Sequence, residues 1–125
     1  MNFELFYKGK EFGIFTLERV EKQIRAIKDK KAQRKITQYL MRLGDRIPNK
    51  SEQWEMIQAC KEVKAFELKP KPYRLGCYVF EDAILAVHVW RVQKGKSIVK
   101  NREIEKVCEV VREAKDEFER FVRRI

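Results

Sequence analysis

The sequence predicts one α+β domain over residues 1–125, with an N-terminal helical hairpin, an antiparallel sheet of three to four strands and a C-terminal amphipathic helix. Three observations predict it. Apolar residues recur at helical spacing between residues 17 and 43. Two short runs rich in Val, Ile, Tyr, Phe and Trp flank Glu81-Asp82. Helical spacing then returns from Ile104 to Ile125.

Taken in order, Phe3, Leu5 and Tyr7 alternate with their neighbours and suggest a short strand ending at Gly9. Leu17, Val20, Ile24 and Ile27 form one helical stripe, and Ala32, Ile36, Tyr39, Leu40 and Leu43 a second. The phase breaks at Asp29-Lys30-Lys31, which makes two helices the reading and one bent helix the alternative. Gly44 and Ile47-Pro48-Asn49 close the second helix, and Ser51–Cys60 reads as a short helix around Trp54 or an ordered loop. Val63–Leu68 resembles a strand, Pro70 and Pro72 bound a turn, and Tyr73–Phe80 with Ala83–Trp90 form a hairpin about Glu81-Asp82. In the last segment Asn101 is a reasonable N-cap, Glu103 and Glu105 suit the first turn, and Arg123-Arg124 suit the last.

The hairpin carries the chemistry. Folded symmetrically about its turn, it places Arg74 opposite Val89 and brings Arg91 onto the same sheet face, diagonally adjacent. Lys69, Lys71, Lys94 and Lys96 lie just beyond that end, so a focused cationic patch suited to a phosphate is expected. The formal net charge of +10 agrees with a polyanionic partner, nucleic acid first. Residues 16–50 hold eleven Lys/Arg against four acids, and residues 62–99 seven against four. Cys60, Cys77 and Cys108 fall outside any CxxC pattern and read as small buried hydrophobes; with one His, no metal is expected. No apolar run approaches a membrane span, and the N-terminus has no signal-peptide pattern, so a cytoplasmic protein without membrane association is expected.

Glu67-Leu68-Lys69, Tyr73-Arg74, His88-Val89-Trp90-Arg91 with Lys94 and Lys96, and a helix opening Arg102-Glu103-Ile104-Glu105-Lys106-Val107 follow one another in a characteristic order. In that order and spacing the chain resembles the RelE/ParE toxin superfamily, in its phage-derived, HigB-like branch. The resemblance implies a type II toxin that cuts messenger RNA on the ribosome, without cofactor or metal, and is silenced by a cognate antitoxin. In this chemistry the RNA's own 2′-hydroxyl attacks the adjacent phosphate. By resemblance the catalytic residues are Arg74, Arg91, Lys94 and Lys96, with Lys69 and Lys71 holding RNA; the basic excess of residues 16–50 adds Arg34 and Lys35 as RNA-binding residues. Tyr73, His88 and Glu103 are local acid–base candidates. RelE-type proteins carry extra Lys where Ala65 and Glu67 stand here, and residues 97–125 contain no Tyr to match their late-helix Tyr. A ParE-like gyrase-binding toxin without nuclease chemistry, and an inactive basic RNA-binding relative, are the alternative readings.

Overall fold

A computed structural model describes residues 1–95 and 97–125. Its elements run β1 (Phe3–Lys8), β2 (Gly13–Leu17), α1 (Glu18–Arg25), α2 (Lys30–Asp45), β3 (Trp54–Met56), a 3-10 segment (Gln58–Val63), β4 (Ala65–Leu68), β5 (Tyr73–Phe80), β6 (Ala83–Arg91) and α3 (Ser97–Arg124). The predicted architecture is corrected by this order. The chain opens on two strands rather than a helical hairpin. The sheet has six strands, in the order β1-β2-β6-β5-β4-β3, and is mixed, because β2 runs parallel to β6.

β2 explains much of the correction. Gly13-Ile14-Phe15-Thr16-Leu17 is flanked by β1 and β6 and is buried almost throughout, so it lacks the alternation that marks a half-exposed strand. Leu17 ends this strand instead of opening a helical stripe, and α1 begins at Glu18. Asp29 caps α2, its carboxylate accepting from the Lys31 amide at 2.9 Å, which stops the two helices from merging without any Gly or Pro. Around Trp54 the segment Ser51–Cys60 is a strand rather than the short helix or loop expected: Trp54–Met56 pairs with β4 and Trp54 stacks on Phe66, while Gln58–Cys60 open the 3-10 segment.

The sheet has two covered faces. Phe15, Gly76, Tyr78 and Leu85 lie under α3, where Phe15 meets Phe118 and the Tyr78 hydroxyl donates to Glu119 at 2.6 Å. Ile14, Ile84, Leu75 and Leu68 face the other way, toward α2, whose Ile36, Leu40 and Leu43 are fully buried. Gly44 lets α2 press on the β1–β2 turn: its carbonyl accepts from the Glu11 and Phe12 amides, and a Cβ on Gly9 would stand 2.2 Å from it.

α3 begins at Ser97, a turn earlier than predicted, so Asn101 lies inside the helix rather than capping it. Cys60 and Cys108 are joined by a disulfide, which corrects their reading as separate apolar side chains and ties α3 to the 3-10 segment. Cys77 is the buried third cysteine, and burial pushes its thiol up to about 12, leaving it protonated and unreactive. Among the described residues, no helix is long and apolar enough to cross a membrane.

Candidate functional site

The open end of the β5–β6 hairpin is not built as its symmetric folding predicts. From the turn the pairing is regular to Cys77↔Ala86, but Gly76 pairs with His88, so Val87 is an extra residue in a bulge. Arg74 therefore faces Trp90 rather than Val89, and Arg91 pairs with Tyr73 on the opposite face. The expected convergence of two arginines on one face is corrected by this one-residue shift. The bulge occurs where β6 runs past its pairing with β2, which stops at Thr16↔Ala86. Beyond that point α1 takes over the edge, and the Gln23 side-chain carbonyl accepts the Val89 amide at 2.9 Å.

On the α3 face, Glu67, Gly76 and His88 form one row across β4, β5 and β6, and Arg74 with Trp90 forms the next. The N-terminal turn of α3 overhangs the second row and closes a cleft of about 480 Å³. Of its lining, Glu67 and Trp90 are buried, Lys69, Arg74 and Val99 half-buried, and Arg91, Val92, Lys94 and Lys100 exposed at its mouth. Both arginines thus reach one cleft despite leaving opposite faces of β5–β6, because the strands end there.

The cleft is not a bare cluster of cations. Glu67, 8% exposed, lies 3.2 Å from the Arg74 Nε, and Arg74 also donates to the Tyr73 carbonyl at 3.0 Å. This pair corrects the expectation of a purely cationic patch at the hairpin's end. Lys69 is held by Glu55 at 2.9 Å, and that ammonium keeps the Glu55 carboxyl below its ordinary range. Arg91, Lys94 and Lys100 have no ion-pair partner among the described residues and supply the outward field. Lys96 lies outside the described residues.

The remaining candidates separate. Tyr73 is half-buried on the far face of the hairpin, opposite Arg91. His88 and Glu103 are bonded to each other beside the cleft rather than in its lining. His88 Nδ1 also meets Arg19 at 3.3 Å and Gln23 at 3.2 Å. Burial, more than any neighbour, holds the His88 pKa below its ordinary value; Glu103 pulls it up, while Arg19 and Lys106 push it down. His88 stacks on Trp90, with centroids 5.6 Å apart.

Arg34 is exposed on α2, and Lys35 donates to the Lys71 carbonyl at 2.8 Å. That bond joins the basic helix to the β4–β5 turn, so Lys71 and Lys69 connect α2 to the cleft. Glu67 is the residue that sequence reasoning passed over as a participant. Its signal was an acid standing two residues before Lys69, inside the basic stretch from Lys64 to Lys71.

No protein-family model matches the chain. An uncharacterized protein of Aquifex aeolicus (strain VF5) is 33% identical over 95 residues, covering 72% of this chain and 69% of that protein.

Proposed function

We propose that this chain, which belongs to the same family as the uncharacterized Aquifex aeolicus protein, is a HigB-like toxin of a type II toxin–antitoxin system. It acts in the cytoplasm as a ribosome-dependent endoribonuclease, without metal or cofactor. One observation carries the reading: a cleft where a buried carboxylate, Glu67, stands among Lys69, Arg74, Arg91 and Lys94, joined through Lys71 and Lys35 to a basic helix. Strand cleavage by a 2′-hydroxyl needs a proton acceptor, charge stabilisation at phosphorus and a proton for the leaving oxygen.

Glu67 takes the first task. Arg74 orients its carboxylate, which receives the 2′ proton as the 2′ oxygen bonds to phosphorus. Arg91 and Arg74 donate to the phosphate oxygens while negative charge grows there. The P–O5′ bond breaks, and the Lys94 ammonium returns a proton to the 5′ oxygen, leaving a cyclic phosphate and a 5′-hydroxyl. With no histidine pair in the cleft, catalysis depends on the ribosome to hold the RNA in line for attack. The α2 cations, Arg34 among them, dock on ribosomal RNA by summed, salt-sensitive charge. A cognate antitoxin silences the protein by covering the basic mouth.

Mapping RNA 5′ ends after brief expression tests the reading. New 5′-hydroxyl ends inside translated messages are expected, and they should vanish in a Glu67→Gln/Arg91→Ala variant. Growth arrest without such ends, accompanied by gyrase association and DNA damage, would replace the nuclease with a gyrase-binding toxin.

A further inference from the structure

Resting on that reading, we infer that the cleft seats one unstacked nucleotide of single-stranded RNA, its base packed on the Trp90 side and its phosphate held at the mouth. The lining combines two chemistries. Trp90, Val92 and Val99 are apolar, and Val92 is 40% exposed although the chain has a large core in which to bury such a residue. Arg91, Lys94 and Lys100 are cationic and exposed. Glu67 and Glu55 already compensate Arg74 and Lys69, so the uncompensated charge among the described residues is on Arg91, Lys94 and Lys100. A simple anion would satisfy these cations and leave the apolar residues wet. An acidic peptide would meet the carboxylate of Glu67. A flat ring carrying one phosphate satisfies both, and the cleft volume lies within the roughly 300–1,000 Å³ typical of small-ligand sites.

Trp90 is prepared for this role. Its ring lies 22° from the plane of His88, which Glu103 and Gln23 fix from either side. An indole held this way loses little conformational freedom when a base packs on it. The nucleotide so held would present its phosphate to Arg91 and its ribose edge to Glu67, which also explains why a carboxylate belongs in a basic cleft.

The chain has two tryptophans, so Trp54→Phe, which retains an aromatic stack on Phe66, leaves Trp90 to report. Its emission is titrated with the dinucleotide ApA made 2′-deoxy at the first sugar, with adenosine and with inorganic phosphate. The dinucleotide is expected to quench Trp90 and to bind at least about tenfold tighter than either fragment. The exposed-site variant Val92→Asp should lose about tenfold, a check that does not disturb the core. Equal affinity for phosphate and dinucleotide, or an unchanged affinity in Val92→Asp, would overturn the inference. Base-dependent binding without cleavage on ribosomes would instead retain it and remove the nuclease reading, whereas cleavage with phosphate-like affinity would do the reverse.

Discussion

Gly76→Ala should destabilise the protein by a route that passes through the cleft. A Cβ at Gly76 would stand 2.4 and 2.5 Å from the two methyls of Val107 and 3.0 Å from its Cβ. No Val107 rotamer relieves contacts with both methyls and the branch point, and Val107 is fully buried. α3 must therefore lift by about 1 Å, which a close-packed interior resists. Overpacking of this kind costs about 1–3 kcal/mol, and contact at both methyls points to the upper half, a loss of roughly 8–12 °C in Tm for a domain of this size. Val107→Ala alone removes two methyls and costs about 2 kcal/mol. Adding Gly76→Ala to it fills the space vacated, so the double variant should be at least as stable as Val107→Ala. Thermal and urea unfolding of the four proteins yields the coupling energy, expected at about 2 kcal/mol. Strict additivity, or a Gly76→Ala cost under about 0.5 kcal/mol, would refute the close approach of α3 to the sheet.

Asp29→Ala removes the cap of α2 and should cost about 1 kcal/mol, read from the urea midpoint; an unchanged midpoint would deny the cap a role. Cys60 and Cys108 lie 48 residues apart, so reduction should lower stability by about 4 kcal/mol on chain-entropy grounds. Guanidinium midpoints with and without reductant check this, and identical midpoints after both thiols have been alkylated would contradict it. Because burial holds His88 below 6.5, the unfolded chain takes up a proton that the native chain refuses as pH falls through that value. Stability should therefore decline from pH 7 until the lowered native pKa is passed, a slope that His88→Gln should flatten; equal slopes in parent and variant would assign the decline to other groups.

What was legible in the sequence depended on periodicity and on whether one face of an element meets solvent. The second helical stripe, Ala32 to Leu43, and the strand runs flanking Glu81-Asp82 stand in α2, β5 and β6. β2 was hidden because a strand flanked on both sides and buried on both faces reads as a short apolar run. The bulge at Val87 was hidden for the same reason: Ile84-Leu85-Ala86-Val87-His88-Val89-Trp90 is buried throughout, so no alternation fixes its register. That one residue redistributed the site, turning Arg74 toward Trp90 and Arg91 to the other face. The basic composition of the hairpin end was visible in the sequence. The acids that temper it, Glu67 against Arg74 and Glu55 against Lys69, required the register of β3 and β4.

Single-turnover cleavage of messenger RNA on saturating ribosomes, at constant salt, tests the central claim most directly. Parent protein is compared with Arg91→Ala, Glu67→Gln and the docking variant Arg34→Gln/Lys35→Gln. Arg91→Ala and Glu67→Gln should each slow the cutting step by roughly 10²–10³ while binding ribosomes normally, and the docking variant should bind more weakly but cut at the parental rate once saturated. Parental cutting rates in both folded cleft variants would contradict the account.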